Sequence, residues 1–161
     1  MSVGEGQTVS YLELTFQFLR KVLVVNSAGQ HKLDGIVAMK VVISIFDNLP
    51  GLIDSALPHL IGMLLAEHKV AIEKQSTPSK YTSMILQALT SAFYNNSVAT
   101  FAIMEQEGQT AVYFSSLLNF IGKFSLEFEL RRVIFGLSSI LRTPAASIPP
   151  FVIEKLPVIT Q

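Results

Sequence analysis

Cysteine is absent from all 161 residues, which excludes disulfides, thiolate metal sites and cysteine nucleophiles. Charge is scarce as well. Asp, Glu, Lys and Arg make up only 15% of the chain, twelve acidic against twelve basic, and no basic run exceeds Arg20-Lys21 or Arg131-Arg132. With no basic patch, nucleic acid is not expected as a direct partner. The histidines His31, His59 and His68 are never spaced four apart and have no cysteine to supplement them, so no metal site is expected. Nucleotide loops fail too. Gly122-Lys123 is preceded at the fifth position by Leu117 rather than glycine, and the "GEGQTV" stretch lacks the third glycine of a dinucleotide fingerprint. Glu67 and His68 suggest an acid-base pair by proximity, but neighbours in sequence point apart on a helix. The expected set of catalytic, cofactor-binding and metal-ligating residues is therefore empty, and a non-enzymatic role is expected.

A membrane span is also not expected. Residues 81–104 carry no charge, but Gln87, the Asn95-Asn96-Ser97 break and several hydroxyl residues interrupt the segment. The opening "MSVGEGQTVS" has neither the basic flank nor the apolar core of a signal peptide, and residues 1–7 read as a disordered lead-in. The Asn95-Asn96-Ser97 sequon matters only in a secreted protein, and nothing else in the chain points to secretion.

What is abundant is apolar surface at helical spacing. Half the residues are apolar and the mean hydropathy is +0.46, high for a chain of this size. Leu57, Leu60, Ile61, Leu64 and Leu65 follow the pattern of one helical face, as do Tyr81, Met84, Ile85, Ala88, Leu89, Ala92 and Phe93. No segment alternates as a strand. Turn residues divide the chain into helices over about 8–25, 33–48, 52–72, 79–94, 98–106, 110–123 and 126–142, with an eighth near 148–159. Asp34, Ser97 and Ser147 are the expected N-caps. Helix 33–48 is apolar around most of its circumference and must be covered on several sides.

Comparing the chain with itself reveals a period near 45. A shift of 47 lays Val42, Ser44, Phe46 and Asn48 over Leu89, Ser91, Phe93 and Asn95, and a further 45 reaches Ile134, Gly136, Ser138 and Ile140. The same shift aligns Lys40, Gln87 and Arg132, each followed four residues later by a small residue: Ser44, Ser91 or Gly136. A mid-helix glycine costs about 1 kcal/mol relative to alanine, so the recurrent small position implies close approach by a neighbouring helix. Glu127, Glu129, Arg131 and Arg132 form the densest charge cluster and read as a solvated first turn with a Glu127–Arg131 pair. A period of about 45 with two helices per unit is that of HEAT and armadillo arrays.

Four stretches carry a family likeness in order: "LIDSALPHLIGMLL", "YTSMILQALTSAFYNNS", "ELRRVIFGLSSIL" and "PPFVIEKLP". Together they resemble the C-terminal HEAT repeats of importin-β-type nuclear transport receptors, nearest to the branch of importins seven and eight. The carriers of the likeness are Phe93-Tyr94-Asn95 at a helix end, Arg131 to Leu137, and Lys155-Leu156-Pro157, over about two-thirds of the chain. Where that branch has proline after Tyr-Asn, Asn96-Ser97 stands here, and an acidic segment beyond the last repeat is absent. The resemblance implies a piece of a larger carrier moving between cytoplasm and nucleus. It also implies protein cargo, FG-repeat nucleoporins and the small GTPase Ran as partners of the full-length parent. No partner-binding residue carries over position by position.

The expected architecture is thus all-α: residues 8–161 as a single domain, a right-handed superhelical solenoid of about three to four HEAT-like helix hairpins. Its expected role is protein binding in nuclear import. Two alternatives stand beside it. One is a HEAT or armadillo scaffold of another system, such as a phosphatase scaffold or vesicle-coat adaptor. The other is a compact helical-bundle enzyme or ligand-binding domain. An array cut at its ends exposes apolar faces, so self-association is expected.

Overall fold

Seven α-helices and two short 3-10 turns make up the regular structure of the described residues 11–27, 32–74 and 79–159 of the computed structural model, and no strand occurs among them. The helices are α1 (Tyr11–Ser27), α2 (Lys32–Asn48), α3 (Leu57–Lys74), α4 (Lys80–Gln106), α5 (Thr110–Ile121), α6 (Glu127–Leu141) and α7 (Pro150–Ile159). The expected lead-in at 1–7 lies outside the described residues, as does His31. No helix among the described residues is long and apolar enough to cross a membrane.

The centre of the molecule is α4. Residues 84–93 are buried without exception, because α2 flanks the helix on one side, α6 flanks it on the other and α3 lies across it. Helix α1 rests on α2 and α3, α5 on α4, and α7 on α5. The expectation that residues 33–48 must be covered on several sides is met: Ala38, Met39, Val42, Ile43, Ile45 and Phe46 are all buried. Where α4 meets α5 an aromatic cluster forms, with the Phe93 ring 4.8 Å from Phe101, 5.7 Å from Tyr113 and 5.8 Å from Phe114. Burial of each such ring contributes roughly 1.5–3 kcal/mol, and favourable ring-pair geometry about 0.5–1.5 more.

The break expected at Asn95-Asn96-Ser97 is present as a kink rather than a loop. Asn96 alone leaves helical geometry, at φ −155° and ψ 92°, and α4 continues beyond it. The bend is held by polar side chains. The Ala99 amide donates to Asn96 Oδ1 at 3.0 Å, and the Thr100 hydroxyl sits 2.7 Å from the Asn96 carbonyl and 3.0 Å from that of Ala92. Asn96, not Ser97, is therefore the cap of the second half. Two further cap expectations are corrected. Asp34 falls inside α2, which begins at Lys32, and Ser147 closes a 3-10 turn ahead of α7. The helix expected from 52 begins at Leu57, because residues 50–53 form the turn in which Gly51 takes φ +76°, and Pro58 fits a first turn that needs no amide donor. Gly108, at φ +62°, likewise ends α4.

Candidate protein-docking groove

Helices α2, α4 and α6 lie side by side, and polar side chains stitch the row together at spacings near the sequence period. Arg132 of α6 donates through Nη1 to Gln87 Oε1 of α4 at 2.8 Å, a separation of 45 residues. Through Nε it reaches past α4 to Asp47 Oδ2 of α2 at 3.4 Å. Gln87 donates in turn to Glu129 Oε1 at 3.2 Å, 42 residues on, and Asn95 donates to the Phe46 carbonyl at 2.9 Å, 49 residues back. Thr143 and Ser97, 46 apart, bring their hydroxyl oxygens to 2.6 Å. Of the three aligned polar positions, Gln87 and Arg132 meet, whereas Lys40 is exposed and takes no part in this chain of bonds.

The small positions behave unequally. Gly136 is buried against the Thr90 backbone of α4: a Cβ placed there would lie 2.6 Å from the Thr90 carbonyl oxygen and closer still to Thr90 Cγ2. The glycine in α6 thus permits the close approach its position suggested. Ser91 is buried as well, but Ser44 is exposed, with no helix pressed against that side of α2 among the described residues. The expected Glu127–Arg131 pair is absent. The Arg131 guanidinium lies over the Phe135 ring at 5.4 Å instead. Glu129 turns back to accept the Ser125 and Leu126 amides at 3.3 and 3.2 Å, closing a helix start whose N-cap, Leu126, has no polar atom to offer.

Along this row runs a groove of two contiguous hollows of about 360 and 380 Å³. They share Asp47, Asn48, Phe128 and Arg132. One end is aromatic, where Tyr94 stacks on Phe135 at 5.8 Å with a 28° tilt, and the Phe128 ring is more than half exposed. The other end is flanked by Lys40 and Lys80. Four cations line the groove against two carboxylates in a chain of zero net charge. Both carboxylates are engaged, Asp47 by Arg132 and Glu129 by Gln87 and the two amides. Lys40, Lys80 and Arg131 have no carboxylate within ion-pair distance among the described residues.

No cluster of three metal-ligating side chains occurs among the described residues. His59 is exposed, as expected for a residue near a helix start. Glu67 and His68 do point apart, yet both are buried. Glu67 accepts from the Tyr81 hydroxyl at 2.7 Å, while both ring nitrogens of His68 find no partner among the described residues. Burial lowers the His68 pKa to about 4, keeping the imidazole neutral against the edge of Tyr113 at 6.4 Å. Desolvation raises the Tyr113 phenol, whose hydroxyl shares a 2.9 Å hydrogen bond with Thr90. Neither group opens onto the groove, so these shifts belong to the core.

No protein-family model, curated sequence or solved structure matches the chain.

Proposed function

We propose that this chain is a segment of a HEAT-like helical solenoid and works as a non-enzymatic protein-binding scaffold, with nuclear import as its biological role. One observation carries the scaffold reading: positions one sequence period apart touch, as Arg132 touches Gln87 across 45 residues. Stacked repeats place equivalent residues of successive units side by side, whereas a closed bundle has no reason to keep a constant spacing. The helix contacts fit the same reading in part, with α4 packed between α2 and α6, α1 against α2 and α3, and α7 against α5.

The import role rests on the ordered family-like stretches, which fall on the turn before α3 with α3 itself, on α4 up to its kink, on α6 and on α7. Protein cargo, FG-repeat nucleoporins and Ran are the partners this role implies for the longer parent. Cytoplasm and nucleus are its compartments. In such an array a further helix would cover the outward stripe of α6 formed by Leu130, Ile134 and Leu141, where Ile134 is 60% exposed. Without that cover, copies of the chain are expected to self-associate.

Small-angle scattering on the chain tests the architecture, and an elongated arc is expected; a compact globule removes the solenoid. Pulldown of the natural full-length protein with GTP-loaded Ran and FG-repeat peptides tests the import role. Failure of both interactions removes that role and leaves a scaffold of another system.

A further inference from the structure

The groove along α2, α4 and α6 has a chemistry of its own, independent of any transport role. Its aromatic end presents the stacked Tyr94 and Phe135 rings beside the exposed Phe128 ring, an apolar surface in water large enough to hold another ring. Arg131, its guanidinium carbon 5.4 Å from the Phe135 ring centre, has no carboxylate partner among the described residues and keeps its donors for a ligand. At the other end Lys40 and Lys80 add charge with no partner among the described residues. With Asp47 paired to Arg132, three cations, Lys40, Lys80 and Arg131, remain against the single carboxylate of Glu129, so the net potential along the groove is positive.

From this we infer that the groove binds an extended acidic polypeptide segment bearing one aromatic side chain, the ring entering the Tyr94–Phe128–Phe135 end and its carboxylates meeting Arg131, Lys80 and Lys40. The inference rests on the scaffold reading only in requiring α2, α4 and α6 to lie in a row.

Two features favour a peptide over a nucleic acid. Asp47 and Glu129 sit in the groove between the cations, so an evenly charged phosphate backbone would be drawn past two carboxylates. A peptide can place its acidic residues beside the cations and neutral backbone beside the carboxylates. Shape favours a segment over a small molecule, since both hollows are open to solvent along the row rather than enclosed.

The test uses the full chain and a fluorescein-labelled peptide of Glu, Asp and Gly with a central Phe, read by anisotropy. Saturable binding is expected, weakening as salt rises. The double variant Lys80→Glu/Arg131→Glu is expected to weaken it by about tenfold or more with helicity unchanged. Neither residue takes part in the bonds between helices, and an acid at position 80 suits the first turn of α4. Replacing the peptide's Phe by Ala should lower affinity separately. No binding, equal binding by the double variant, or equal binding by oligouridylate or by a Lys-rich peptide overturns the inference. Because scattering reports the helical row independently, a failed peptide with an intact arc sinks the groove assignment alone.

Discussion

Replacing Gly136 with alanine pits two opposing effects against each other at one atom. In an exposed helix interior the change is favourable by about 1 kcal/mol, because alanine costs less backbone entropy than glycine. Here the new Cβ would sit 2.6 Å from the Thr90 carbonyl oxygen and 3.2 Å from its carbonyl carbon, atoms of the α4 backbone that no rotamer change can move. To restore ordinary contact α6 must retreat from α4 by several tenths of an ångström, which loosens the Arg132–Gln87 bond as well. Overpacking of this kind costs about 1–3 kcal/mol, so after the propensity gain the net loss is about 0–2 kcal/mol for alanine and more for leucine. Gly62 is the internal control. It also lies within a helix, α3, but nothing stands within 4 Å of its Cβ position, so Gly62→Ala should stabilise by up to about 1 kcal/mol. Urea unfolding followed by far-ultraviolet circular dichroism should therefore move the two midpoints in opposite directions. Shortening Thr90 to serine removes Cγ2 but not the carbonyl, so Thr90→Ser should recover part of the Gly136→Ala loss in a double-mutant cycle. If Gly136→Ala stabilises as much as Gly62→Ala, α6 does not seat on α4 as described.

Three further outcomes are expected. His68, with its pKa lowered to about 4, takes up a proton in the unfolded chain below about pH 6.5 but stays neutral in the folded one until about pH 4. Its contribution is intact above the upper value and falls as the solution is acidified through that window, by about 3 kcal/mol in total. The pH dependence of stability measured for His68→Leu should lack this component, and an unchanged difference between the two proteins across the window refutes the assignment. Asn96→Ala removes the cap at the kink and should cost about 0.5–2 kcal/mol, with amide exchange accelerated in residues 97–99 before other parts of α4. Ile134→Lys on the outward stripe of α6 should shift sedimentation equilibrium toward monomer without loss of helicity, since that side chain is 60% exposed.

How much of this was legible depended on whether the signal was local. Gly51 and Gly108 marked turns because their backbone geometry is disfavoured for other residues, and the Asn-Asn-Ser stretch marked a real interruption. Which of those residues would cap the second half was not readable, since Asn96 and Ser97 offer equally competent oxygens and the choice is made by the bend. Periodicity picked out a buried face of α4, Tyr81 to Phe93, but not that Gln87, Thr90 and Ser91 on its other sides are buried as well. The alignment of Gln87 with Arg132 foretold an actual contact, and that of Gly136 foretold a close one. It misjudged Ser44, because a recurrent small residue needs a neighbour to receive, and α2 has none on that side among the described residues. Nothing in the sequence singles out Asp47. Its partner lies 85 residues away, at a distance fixed by how three helices are rotated and spaced. The groove was invisible for the same reason: Lys40, Lys80 and Arg131 look like scattered surface charge until three helices bring them to one face.

Arg132 ties α6 both to its immediate neighbour and to the helix beyond, so it acts as a tie rod strung across the row. A row of helices joined only pairwise can splay like the ribs of a fan. A guanidinium anchored at Gln87 and Asp47 at once resists splaying on its own side while leaving the opposite side free. The outer link is the longer one, 3.4 Å between side chains 18% and 33% exposed, and should yield first, since its grip is electrostatic. Salt, or a partner that competes for Asp47, is therefore expected to release α2 from Arg132 before α4, so one side chain sets the order in which the row comes apart.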